Sequence, residues 1–164
     1  MAEKDFYEPI RQCLEALFKS VGKTVYSEIG GSRGFSERAK RAIPPERNIV
    51  FAFLRHRPDL LILIVEPYRP NLVTVEIKEE IRKLEDIYQA KLYKEVLDAK
   101  HGLLITLSPI REELKRLCTI TPNILGSKAH WRQFFVIGHF DKTTGQITDW
   151  FPENPFENPI YWNR

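Results

Sequence analysis

The chain is poor in sulfur. It has two cysteines and one methionine in 164 residues. Cys13 and Cys118 each stand inside an amphipathic stretch, with no CxxC pair and no Cys/His cluster. A sulfur-based metal site therefore has no support, and two buried free thiols are the expectation. His101, His130 and His139 are scattered without ligand spacing. Long apolar runs are missing as well. The longest, Leu60 to Val65, is far too short to span a membrane, and the opening MAEKDFYEPI has no apolar signal core. The expectation is a cytoplasmic protein with no membrane partner, a nucleus or an infected host cell being equally open. Strong charge of one sign is also absent. A net charge of +3 does not identify a nucleic-acid binder, although clustered positive charge would still suit a polyanion. There is no internal repeat and no sign of a second domain.

What is present suits one folded domain. Hydrophobic residues make up 43% of the chain and charged residues 29%, enough for a core and against global disorder. Asp5 caps a first helix, with Pro9 near its start. Phe6, Ile10, Cys13, Leu14, Leu17, Phe18 and Val21 follow helical spacing as far as Gly22. KTVYSEI alternates like a strand. The glycine- and arginine-rich stretch from Gly30 to Pro45 reads as a surface loop with a helical turn around Ser36 to Ala42, and NIVFAFL as a strand. Two strands joined at EPYRP form an antiparallel hairpin. Glu79 to Lys100 reads as a helix with a buried stripe of Ile81, Leu84, Tyr88, Leu92, Val96 and Ala99. LLITLS is an all-apolar strand typical of a sheet covered on both faces. The helix PIREELKRLC follows, and then a hairpin, RQFFVIGHF and QITDW around DKTTG. That order is an α/β fold, a mixed central sheet flanked by helices, over residues 1–150. The proline- and aromatic-rich tail, 151–164, is expected to pack on it.

The first hairpin carries the chemistry. Asp59 opens one strand and Glu76 lies near the end of the next, so antiparallel pairing brings them together. Adjacent carboxylates repel and raise each other's pKa. A divalent cation relieves that cost, and oxygen ligands suit Mg²⁺ or Mn²⁺. Lys78 shares a strand face with Glu76, where an ammonium orients water or stabilises phosphate charge. Pro58-Asp59 followed by Glu76-Ile77-Lys78 resembles the PD-(D/E)XK nuclease superfamily, with its restriction-endonuclease-like fold. Gln89 and Tyr93, one helical turn apart, resemble the QxxxY motif of its RecB-like branch.

The resemblance implies metal-dependent hydrolysis of DNA by a stand-alone enzyme. Asp59, Glu76 and the Ile77 carbonyl would hold the metal, and Lys78 would position the attacking water. Gln89 and Tyr93 would sit near the catalytic rim. A first-helix glutamate would assist, with Glu8 preferred and Glu15 second. Arg33, Arg38, Lys40, Arg41, Arg55 and Arg57 form a basic arm running into the hairpin, and arginine suits phosphate contacts. His56 and Glu66 are expected to be solvated. The tail aromatics are expected to pack, on the domain or on a second subunit as a homodimer. The competing reading is a non-catalytic nucleic-acid-binding or structural protein on the same fold, its acids forming ordinary surface pairs.

Overall fold

The structure, a computed structural model, describes residues 1–30, 34–126, 133–158 and 161–162. Helix α1 spans Tyr7–Ser20 and buries Tyr7, Ile10, Cys13, Leu14 and Phe18 along one stripe. It ends where the sequence places its stop. Gly22 takes φ +76°, which glycine adopts without steric cost. The Gly22 and Lys23 N–H groups then donate to the Lys19 and Phe18 carbonyls at 3.0 Å each, satisfying the helix's last carbonyls.

Six strands form one open mixed sheet in sequential order: β1 (Val25–Ile29), β2 (Leu60–Ile64), β3 (Asn71–Lys78), β4 (His101–Thr106), β5 (Phe134–Asp141) and β6 (Gln146–Phe151). β1, β2 and β3 pair antiparallel, β3–β4 and β4–β5 parallel, and β5–β6 antiparallel. A parallel neighbour needs a crossover. Helices α3 (Leu84–Val96) and α4 (Glu112–Ile120) supply the two crossovers, and a short α2 (Glu37–Ala42) lies between β1 and β2.

The sheet is covered on both faces, which is why β2 reads as an unbroken apolar run. Leu60, Ile62 and Ile64 join Ile10, Leu14 and Phe18 of α1 on one side. Leu61 and Leu63 meet Ala39, Ala42 and Ile43 on the other. Further along that second face, Ile87 and Ala90 of α3 and Cys118 of α4 pack on Leu104 and Ile137. Phe156 and Trp162 of the tail are buried in the α1 layer. Both cysteines are buried free thiols. Among the described residues no helix is long and apolar enough to cross a membrane.

Three expectations are corrected. NIVFAFL is no strand: Pro45–Ala52 is a 3-10 helix whose Val50 and Phe51 lean on the α2 cluster. Its apolar run lacks strict alternation and begins behind two prolines, one of them at the first helical turn, where proline is well suited. The long helix is shorter than Glu79 to Lys100, because Asp98 adopts φ +54° and closes it early. Its phase also differs. Ile87, Ala90 and Tyr93 face the sheet, whereas Leu84, Tyr88 and Leu92 are 36%, 50% and 49% exposed. The small Ala90 sits against the sheet, and the side holding Tyr93 turns inward with it. Finally, Glu66 is no freely solvated residue: it pairs with Lys23 at 3.3 Å and its side chain is 13% exposed.

Candidate active-site cleft

The β2–β3 register pairs Leu60 with Val75, so extending it by one residue sets Asp59 opposite Glu76. The approach of Asp59 is fixed from the other side by β1. The Gly30 N–H donates to the Asp59 carbonyl at 2.6 Å. A Cβ on Gly30 would stand 2.1 Å from the Pro58 carbonyl oxygen, so only glycine lets the two backbones come this close.

Both oxygens of the Asp59 carboxylate are held. The Tyr7 hydroxyl of α1 donates to Oδ1 at 2.5 Å, and the Ile77 N–H donates to Oδ2 at 2.8 Å. Burial raises the Asp59 pKa against the pull of these two donors. The Tyr7 pKa also rises, first from burial and then from its bond to Asp59. Glu3 approaches the same hydroxyl at 3.4 Å and accepts the Glu79 N–H at 3.1 Å.

Glu76 is a buried acid with few partners. It is 5% exposed, and its pKa is pushed up to about 8, by burial first and by the neighbouring Asp59 second. Oε1 accepts a long 3.4 Å bond from the Gln89 amide and lies 3.7 Å from the Lys78 ammonium. Oε2 is buried with no hydrogen-bond partner of good geometry, and the pull of the Lys78 ammonium and the Asp59 N–H offsets only part of the rise. An unpaired buried carboxylate oxygen is costly, and the protein leaves it beside a second acid. Gln89 also accepts from Lys78 at 3.4 Å, so it bridges the acid and the ammonium. Tyr93 is 4% exposed beside this group; burial raises its pKa while Gln89 pulls it down. The inward phase of α3 brings Gln89 and Tyr93 to the hairpin.

Asp59, Glu76, Gln89 and Tyr93 line one cleft of about 660 Å³, together with Tyr7. Its basic wall includes Lys4, Lys40, Arg55, His56 and Arg57. The Arg57 guanidinium stands 5.3 Å from the Phe35 ring. The other expected residues lie elsewhere. Arg38 stacks on Tyr26 at 4.0 Å and, with Arg41, borders a separate hollow near Leu63 and Glu66. Arg33 and His130 lie outside the described residues. Glu8 does not line the cleft: it accepts from Arg11 at 2.6 Å and 3.0 Å and from Gln12 at 3.0 Å. Glu15 accepts from the Ser27 hydroxyl.

Sequence reasoning missed Tyr7, Glu3 and Lys4. Glu3 and Lys4 precede α1, in the 3-10 turn Glu3–Phe6, and no motif in the sequence marks them or Tyr7. Among the described residues, no group of three or more His, Cys, Asp or Glu side chains is gathered closely enough to hold a metal ion. The acidic set of the cleft is thus the Asp59–Glu76 pair. No family model, curated protein or solved structure matches the chain.

Proposed function

We propose that the chain is a metal-dependent deoxyribonuclease of the PD-(D/E)XK type, with Asp59, Glu76 and Lys78 at its centre. The observation carrying this reading is the buried, partnerless Glu76 oxygen, placed beside Asp59 in a basic-walled cleft. The order α1, three antiparallel strands, α3 and a strand parallel to β3 is compatible with a restriction-endonuclease-like fold.

The residues suit Mg²⁺ or Mn²⁺. Mg²⁺ keeps several waters and takes one or two carboxylates plus substrate oxygens, so a two-carboxylate seat is adequate for it. Asp59 and Glu76 would hold the ion, and the resemblance adds the Ile77 carbonyl. When bound, the ion would polarise a phosphoryl oxygen and lower the pKa of water. Tyr7 and the Ile77 N–H fix the orientation of Asp59. Gln89 holds the Lys78 ammonium beside Glu76. Lys78 would orient the attacking water and offset charge on the phosphate. Lys40, Arg55 and Arg57 would receive the strand's phosphates.

The non-catalytic reading uses the same basic wall. It leaves the cost of the partnerless Glu76 oxygen unexplained. The test is cleavage of linear duplex, single-stranded, circular and branched DNA with Mg²⁺, Mn²⁺ or chelator. Metal-dependent cutting is expected, lost by at least about a hundredfold in Glu76→Ala and Lys78→Ala, as when a positioned electrostatic group is removed, with folding retained. Cutting that survives in both variants would overturn the assignment. An RNA arm in the same assay separates the two nucleic acids, which a basic wall alone does not distinguish.

A further inference from the structure

We propose that Phe53, next in the chain to the cleft-lining Leu54, is a stacking platform for an unpaired base, so that the preferred substrate enters as a single strand or a frayed end. This rests on the reading of the cleft as a nucleic-acid site. Phe53 is 79% exposed, immediately after the 3-10 helix Pro45–Ala52. Its neighbours behave differently: Phe51 and Leu54 pack inward on the α2 cluster, and both line the cleft. The chain then runs directly into Arg55, His56 and Arg57, also on the cleft wall, and on to Asp59.

A lone exposed aromatic is ordinary. What sets Phe53 apart is its place in the chain, between Phe51 and the run Leu54 to Arg57, all of them lining the cleft. Arg55 and Arg57 follow Phe53 in the chain and stand on the cleft wall. Apolar rings flanked by arginines match a strand that offers base faces and phosphates together.

Among the described residues, several other aromatics do not compete for this role. Phe156 and Trp162 of the tail are buried at 8% and 3%. Phe35 and Phe51 pack on each other at 5.1 Å. Tyr68 lies in the β2–β3 turn, at the far end of the hairpin from Asp59 and Glu76, and Tyr88 lies on the outer side of α3. Intact duplex keeps its base faces stacked on one another, so Phe53 would have little to hold there except a terminal base.

The test is fluorescence anisotropy of the full chain, with Ca²⁺ replacing Mg²⁺ to limit cleavage. The probes are an oligothymidine, an abasic strand of the same length and a blunt duplex of matched phosphate count. Phe53→Ala is expected to weaken oligothymidine binding about tenfold, the scale of one lost base stack. It should leave the abasic strand and the duplex unchanged, and Phe53→Trp should restore the loss. Tyr88→Ala serves as a control that changes nothing. Unchanged oligothymidine affinity in Phe53→Ala, or an equal loss on all three probes, overturns the platform alone. Failure of the unaltered protein to bind any probe overturns the nuclease reading and the platform with it.

Discussion

At the scale of single residues, Glu76 shows a conflict between stability and function. Its folded pKa, about 8, stands above the ordinary 4.5. Below pH 4.5 the carboxyl is protonated in both folded and unfolded chains. Between 4.5 and 8 the folded chain keeps a proton that the unfolded chain has lost, so stability falls as pH rises through this window. Above it the full cost of the buried charge is borne. Glu76→Gln removes that cost. In chelator, the variant is expected to melt like the natural chain at pH 4.5 and to exceed it above pH 8 by roughly 2 kcal/mol or more. Thermal melts across the pH range check this; parallel curves for the two proteins would contradict it. The acids themselves were legible, because Asp59 and Glu76 interrupt apolar strands and their spacing fits a hairpin. The partners of Asp59 were not. Tyr7 lies 52 positions away in sequence, and nothing in a helical stripe distinguishes a core tyrosine from one whose hydroxyl reaches an acid.

At the scale of elements, the hairpin, the first helix and the existence of the two helices that flank β4 were readable from their periods. The errors came where periodicity is ambiguous. The face of α3 was misread because Leu84, Tyr88 and Leu92 outweigh Ala90 in any count of apolar bulk, while close packing on a sheet favours the small residue. The error concealed that Gln89 faces Glu76. β1 contributes in a way no motif reports, by letting Gly30 touch the Pro58–Asp59 backbone. Gly30→Ala must move that backbone and Asp59 with it. It is expected to cost about 1–3 kcal/mol of stability, the ordinary scale of overpacking, and to reduce cleavage more than stability alone explains. Gly34→Ala, on the cleft lining, is the control for melting, since a Cβ there meets nothing within 4 Å. Melting midpoints and cleavage rates for the pair check this, and indistinguishable variants would contradict the role of Gly30.

At the scale of the molecule, the sheet divides labour between its faces. One face holds α1 and the tail in an apolar layer, with Trp162 against Phe18 at 4.7 Å. At the Asp59 end of the hairpin, Tyr7 from the α1 layer and Gln89 and Tyr93 from the α3 layer meet in one cleft. The two carboxyls are thereby kept in a setting that disfavours their charge unless a cation shares it. The basic arm was legible as composition, but only the fold separates Lys40, Arg55 and Arg57, on the cleft, from Arg38 and Arg41, which face elsewhere.

The central claim is that Asp59 and Glu76 form a seat for a divalent cation. Titration calorimetry with Mn²⁺ at pH 7, in two buffers of different ionisation enthalpy, tests it most directly. The natural chain is expected to bind and to release about one proton per ion, because Glu76 must ionise to accept the cation. Glu76→Gln is expected to lose both the binding and the proton. No binding by the natural chain, or equal binding and no proton release in both proteins, would contradict the account.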